Sequence, residues 1–89
     1  MSEARLDGNA IGGVLHTVFG AEMTAAVGVC GTCGATGAVA ELHVYVRAPG
    51  IVVRCPKCES VLMRIVESAD RTWIDLSGLR TLQIGGGPT

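Results

Sequence analysis

Two short stretches decide the fold: VCGTCGATG at residues 29–37 and RCPKCES at residues 54–60. Each contains a pair of cysteines in the spacing CxxC, and 21 residues lie between the two pairs. Two cysteines at this spacing bind one ion when the loop between them turns tightly, and two such loops complete a tetrahedron of four sulfurs. We therefore predict one bound Zn²⁺. The predicted ligands are all the cysteines of the chain: Cys30, Cys33, Cys55 and Cys58.

A site of four sulfurs leaves no coordination position for water, so we expect a structural rather than a catalytic ion. The chain shows no paired carboxylates, nucleophile–base pattern or phosphate loop, and we expect no enzymatic activity. Two alternatives stay open from the cysteines alone. A thiol redox enzyme also uses CxxC, and an iron site of the rubredoxin type also uses two such pairs.

Composition restricts the other possibilities. The chain has 89 residues, of which 48% are hydrophobic, and its formal net charge is −1. It offers few cations for general binding to nucleic acid, which needs several phosphate contacts. No apolar run approaches the ~18 residues that span a membrane. The N-terminal sequence MSEARLDGNA lacks the pattern of a secretory signal. We expect a cytoplasmic protein, an environment that favours metal over disulfide for paired cysteines.

A short helix is predicted near the N-terminus. Apolar residues recur at helical spacing from Ile11 to Phe19. Asp7 can cap the first turn, and Leu6 with Ile11 can form a hydrophobic staple across it. Gly20 suits the left-handed residue that follows a helix.

The rest of the chain reads as antiparallel hairpins. Residues 24–29 and 38–47 are predicted strands, and the second alternates with Leu42, Val44 and Val46 on its buried face. A turn at 48–50 leads to a strand that enters the second cysteine pair. Residues 61–66 fit either a helix or a strand, and their β-branched residues favour a strand. RTWIDL adds another strand and LSGLRTLQI a last short one.

One face of this predicted sheet is a candidate contact surface for a partner. Aromatic and arginine side chains that serve as interface hot spots would lie together there: His43, Tyr45, Arg47, Arg71 and Trp73. The alternatives are that the aromatic residues cover a small core, or that the face stacks and binds nucleic acid. We favour a protein partner over nucleic acid. A late apolar series, Leu76 to Ile84, exceeds what one small sheet can bury, which suggests a homodimer.

The pattern CxxC–hairpin–CPxC–hairpin resembles the zinc-ribbon family over residues 30–76. The longer string also resembles a group of small uncharacterised proteins of high-GC Gram-positive bacteria, through LDGNA, FG, CGTCG, HVYVRAPG, RCPKCE and RTWIDLSGL. Zinc ribbons serve in transcription, in ribosomal proteins and as accessory domains of enzymes, so the resemblance implies the fold and the ligand cysteines only.

The sequence thus predicts a small, mostly-β zinc ribbon with antiparallel hairpins and one short N-terminal α-helix. We expect a single domain over residues 6–84, with a flexible N-terminus at 1–5 and a flexible tail at 85–89. Its expected role is that of a non-catalytic protein-interaction or adaptor module, with nucleic-acid binding as the alternative and thiol redox chemistry behind both.

Overall fold

The computed structural model describes residues 5–47 and 50–84, except for the side chains of Arg5 and Arg47. Within them lie eight strands, one α-helix and two short 3-10 helices at Gly8–Ile11 and Val39–Glu41. The larger elements, in chain order, are β1 (Arg5–Asp7), α1 (Gly12–Phe19), β2 (Val27–Cys30), β3 (Thr36–Ala38), β4 (His43–Arg47), β5 (Gly50–Arg54), β6 (Val61–Glu67), β7 (Thr72–Asp75) and β8 (Leu79–Gln83).

The strands form two antiparallel sheets. The five-stranded sheet has the order β1-β4-β5-β6-β7, and the three-stranded sheet has the order β3-β2-β8. This architecture confirms the predicted mostly-β fold with antiparallel hairpins and one N-terminal helix. The β4–β5 hairpin, the strand over residues 61–66 and the strand in RTWIDL are all confirmed.

The helix begins later than its capping residue predicts. Asp7 accepts a hydrogen bond from the Asn9 amide at 3.1 Å, but it caps a 3-10 turn, and the α-helix starts only at Gly12. At the other end Gly20 is left-handed, with φ 69°, as predicted, and its amide donates to the His16 carbonyl at 2.8 Å. The predicted stripe is only partly buried, since Leu15 is 1% exposed while Val18 is 40% exposed.

Several strand boundaries differ from the prediction. The strand expected at 24–29 lies at Val27–Cys30, and the one expected at 38–47 begins at His43, after a 3-10 turn. Two short strands were not predicted: β1 pairs with β4, and β3 pairs with β2. Val46, expected on the buried face, is 51% exposed, because it lies at the end of β4 beside the hairpin turn.

The core lies between the inner face of the five-stranded sheet, the helical segment and the three-stranded sheet. Its most buried members are Ile11, Leu15, Met23, Val39, Val44, Val53, Leu62, Met63 and Ile65, together with Cys30 and Cys55. The late apolar series also packs against this core, because β8 joins the three-stranded sheet. Its members Leu76, Leu79 and Leu82 pack against the core, whereas Ile84 is 45% exposed.

The predicted flexible ends fall on residues 1–4 and 85–89, which lie outside the described residues, as do residues 48 and 49 of the predicted turn. The backbone of residue 5, also expected to be flexible, is part of β1. Among the helices of the described residues, none has the length and apolar character needed to cross a membrane.

Candidate metal centre

The four cysteines converge on one point. Each Sγ lies within 4.8 Å of the other three. The Sγ atoms of Cys30 and Cys58 are 3.7 Å apart, and so are those of Cys33 and Cys55. A tetrahedral ion with metal–sulfur bonds of ~2.3 Å places its sulfurs ~3.8 Å apart. The two short distances thus match the edges of such a tetrahedron, and they are far too long for disulfides.

Each cysteine pair sits in a tight turn, or knuckle, and the two knuckles share one backbone design. The Gly34 amide donates to the Cys30 carbonyl and the Glu59 amide to the Cys55 carbonyl, each at 2.9 Å. Both residues are left-handed, with φ 77° at Gly34 and 64° at Glu59. This conformation is easy for glycine and strained for glutamate. Each knuckle therefore closes on a left-handed residue four positions after its first cysteine.

The knuckles also turn backbone N–H groups towards the sulfurs. The amides of Thr32 and Cys33 lie 3.4 and 3.5 Å from the Sγ of Cys30, and the Lys57 amide lies 3.3 Å from the Sγ of Cys55. Such donors stabilise the thiolate form of a cysteine. The two buried cysteines, each 2% exposed, thus accept hydrogen bonds from backbone N–H groups in their own knuckles.

A β-bulge precedes each knuckle. The register of β2 against β8 shifts between Val29 and Cys30, and that of β5 against β6 shifts between Val53 and Arg54. In each case the extra residue lies on the partner strand, Arg80 in β8 and Leu62 in β6. A bulge bends its strand and increases the local twist. Both partner strands therefore bend beside the first cysteine of a knuckle.

Gly78 joins the two halves of the site. Its carbonyl accepts from the Gly31 amide in the first knuckle at 2.9 Å, and its own amide donates to the Leu62 carbonyl at 3.1 Å, just beyond the second knuckle. A Cβ at Gly78 would lie 1.9 Å from the Val61 carbonyl oxygen. Only glycine allows the chain to pass this closely.

The thiols differ in acidity. The Ser60 hydroxyl, 3.3 Å from the Sγ of Cys58, and the Ser60 backbone amide lower the pKa of Cys58 to about 6. The Cys33 amide lowers the pKa of Cys30. The Ala35 amide lowers the pKa of Cys33, but partial desolvation and the neighbouring thiols together raise that pKa to about 11. Because thiolates crowded together repel one another, all four are ionised only when a cation lies among them. The donor set and its geometry fit a metal ion.

Nearly the whole chain matches one known protein family. A model described as a family of unknown function, DUF6510, matches residues 2–87. The chain belongs to the DUF6510 family. Comparison with curated proteins and with solved structures found no match. In this DUF6510 protein, function must therefore be argued from the site itself.

The register places two of the candidate partner residues, Tyr45 and Trp73, on the same side of the five-stranded sheet. Residues directly opposite each other in neighbouring strands share a face. One row of such residues is Tyr45, Val52, Arg64 and Asp75, and the next is Arg47, Gly50, Val66 and Trp73. We call the described side chains of these two rows the outer face.

Trp73 is 62% exposed and Val66 36% exposed, so Trp73 does not cover the core as one alternative supposed. His43 lies two residues before Tyr45 in β4 and therefore on the same side of the sheet. Its Nδ1 is 3.2 Å from the Oε2 of Glu59. Arg71 precedes β7, and its carbonyl accepts from the amide and hydroxyl of Ser68. The contact with Glu59 thus connects His43 to the second knuckle.

Sequence reasoning missed Gly78, Ser60 and the left-handed Glu59. A signal existed for Glu59, because it occupies the position that Gly34 occupies in the first knuckle. No local signal marks Gly78, since its role depends on segments of the chain that meet only in the folded protein.

Proposed function

We propose that Cys30, Cys33, Cys55 and Cys58 bind one Zn²⁺ with a structural role, and that the protein is a non-catalytic binding module of the zinc-ribbon kind. The observation that carries this proposal is the convergence of four sulfurs within 4.8 Å of one another, with two of their separations at 3.7 Å. Zinc accepts this all-thiolate tetrahedron without geometric strain, and the closed ligand set leaves no position for substrate or water.

The energy scale supports a structural role. Zinc binding in small peptides contributes ~10–16 kcal/mol of apparent free energy, whereas a whole domain is stable by ~5–15 kcal/mol. The site joins the two sheets, since β2 carries Cys30 in one sheet and β5 leads to Cys55 from the other. Removing the ion would therefore weaken the contact between the sheets as well as that between the knuckles.

The metal is tested on the reduced, purified protein by elemental analysis and by Co²⁺ substitution, which gives characteristic visible bands for a tetrahedral thiolate site. We expect one ion per chain and loss of cooperative melting with a strong chelator. Cys58→Ser should weaken metal binding more than the ~10–100-fold typical of changes outside the ligand shell. Thr32→Ser is the matched control, because only its backbone amide contacts a sulfur.

Reduced protein that contains no metal and melts cooperatively in chelator would overturn the proposed site. One bound iron per chain would retain the site and reject zinc. Reduction of a model disulfide by the metal-free protein at the rate of a redox enzyme would reject the non-catalytic role.

The outer face supports a protein partner for this module. Trp73 and Val66 are directly opposite each other and exposed, with Arg64 and Asp75 in the adjoining row. Exposed tryptophan with arginine is typical of interface hot spots. The cations near this face are partly engaged, since Arg54 donates to the Glu59 carbonyl at 2.7 Å and Arg64 is directly opposite Asp75. The pKa of Asp75 is lowered mainly by its hydrogen bonds with Ser77 and also by the charge of Arg64. This engagement favours protein over nucleic acid.

Affinity capture from the native cell with metal-loaded protein tests the partner. Trp73→Ala should abolish capture, whereas Val18→Ala, an exposed residue on the helix, should not. Equal capture by wild type and Trp73→Ala would reject the outer face. Salt-sensitive binding to generic DNA or RNA, lost in Trp73→Ala, would support the nucleic-acid alternative instead.

A further inference from the structure

A cavity of about 120 Å³ lies beside the cysteine cluster, and the proposed function does not use it. Two of the four cysteines line it, the buried Cys30 and Cys55, while the exposed Cys33 and Cys58 do not. The cavity is therefore distinct from the space between the four sulfurs. It is bounded on one side by the three-stranded sheet and on the other by the second knuckle.

A pair of glycines opens this cavity. Gly28 and Gly37 are directly opposite each other in β2 and β3, and both line it. Neither has the positive φ that requires glycine. A Cβ at Gly37 would meet only the Glu41 Oε1, at an ordinary 3.5 Å. The backbone at Gly37 thus tolerates a side chain, and the absence of one leaves space that a larger residue would fill.

The walls are apolar. Leu42 and Leu62 are 6% and 2% exposed, and Leu79 and Pro56 also line the cavity. The cavity is smaller than the ~150 Å³ that holds benzene in an engineered protein core, and well below the ~300 Å³ of the smallest drug-sized pockets. It has room for one aliphatic side chain and not for a cofactor.

Two opposite charges lie at the mouth. Glu41 and Lys57 both line the cavity and are exposed. Within the part of the chain that the structure describes, neither has an ion-pair partner, since the one ion pair there joins His43 and Glu59. The Lys57 backbone is held by its amide contact with the Cys55 Sγ at 3.3 Å, so this residue keeps its place in the cavity lining.

We propose that this cavity binds an apolar α-amino acid of about the size of leucine. The branched side chain enters between Leu42 and Leu62, the α-ammonium group faces Glu41 and the α-carboxylate faces Lys57. Charge complementarity selects a zwitterion over a simple fatty acid or amine, and the volume selects an aliphatic side chain over an aromatic one. The site does not depend on the proposed partner or on the outer face.

The test is an NMR titration of the metal-loaded full chain, with amide and methyl shifts of the cavity residues as the readout. The probes are L-leucine, L-valine, L-phenylalanine, isocaproate and isoamylamine. We expect L-leucine to bind most tightly. L-valine should bind about fourfold more weakly, for one CH₂ less. Isocaproate and isoamylamine should each be weaker by up to about fivefold, for one exposed ion pair less.

Variants of the cavity complete the test. Gly37→Val should fill the space and abolish the shifts, while Gly13→Ala, with nothing within 4 Å of its Cβ, should leave them unchanged. Lys57→Gln should remove the advantage of L-leucine over isoamylamine, and Glu41→Gln its advantage over isocaproate. Metal content and amide dispersion, measured on each sample, establish that the variant is folded and separate this test from that of the metal site.

Absence of shifts at the cavity with L-leucine at its solubility limit would overturn the proposal. Equal shifts in Gly37→Val, or equal affinity for isocaproate, isoamylamine and L-leucine, would overturn it as well.

Discussion

Replacing Gly78 by alanine should be one of the most damaging additions of a single methyl group to this protein. A Cβ at this position would lie 1.9 Å from the carbonyl oxygen of Val61 and 2.7 Å from the Cα of Leu62. Cβ contacts below 3.0 Å are essentially never seen, so the two backbones must separate by about 1 Å. No side chain can rotate away, because the obstacles belong to the main chain of β6.

The cost can be worked out from the contacts that this separation breaks. Gly78 makes two backbone hydrogen bonds, to Gly31 at 2.9 Å and to Leu62 at 3.1 Å. Each contributes about 1 kcal/mol. Overpacking adds about 1–3 kcal/mol. We expect the free energy of unfolding to fall by about 4 kcal/mol, a large share of the ~5–15 kcal/mol that such domains have.

Urea unfolding of the metal-loaded protein measures this change. Gly13→Ala is the matched control, since its Cβ would have nothing within 4 Å and alanine favours a helix by up to about 1 kcal/mol over glycine. Metal affinity should fall with Gly78→Ala, because the Gly31 amide next to Cys30 loses its acceptor. A free energy of unfolding within about 1 kcal/mol of wild type would refute the claim that Gly78 holds the two knuckles together.

Three further predictions concern the second knuckle, the helix and the outer face. Glu59→Gly should be more stable than Glu59→Ala by about 1 kcal/mol in thermal unfolding. Both variants lose the contact with His43, but only glycine relieves the strain of the left-handed backbone. Equal stabilities of the two variants would contradict this. Leu15→Ala should lower the free energy of unfolding by about 2–5 kcal/mol, because it truncates a buried side chain. Val18→Ala truncates an exposed side chain and should change this free energy by less than about 1 kcal/mol. Similar losses in both variants, measured by urea unfolding, would contradict the burial of Leu15 against the core. The pKa of Asp75 is lowered by its hydrogen bonds to Ser77 and by the charge of Arg64. The resulting stabilisation is present above the ordinary aspartate pKa of ~3.9 and disappears as the pH falls through the lowered value, so acid should destabilise wild type more than Asp75→Asn, and parallel stability curves would oppose this.

Local patterns predicted much of the fold. Gly20 is left-handed, as the helix end requires, because this conformation depends on neighbours in the chain. Residues 61–67 form a strand, as their β-branched residues indicate. The hairpin β4–β5 follows from two alternating runs joined by a turn.

Predictions failed where an element depends on distant partners. Thr36–Ala38 has little strand propensity and becomes a strand only because β2 lies beside it. The last strand was predicted as an element, but its sheet was not. It pairs with β2 rather than with β7, and this pairing creates the second sheet that buries Leu79 and Leu82.

The four ligand cysteines and the type of fold were predictable from the chain alone, because CxxC spacing, knuckle turns and strand alternation depend on residues a few positions apart. Only the tertiary structure decided which strands share a sheet, which side chains form the outer face, and that Gly28 and Gly37 open a cavity beside Cys30 and Cys55. Backbone hydrogen bonds between strands are nearly independent of side-chain identity. The choice among pairings therefore depends on close steric fits such as that of Gly78, which exist only once the chain has folded.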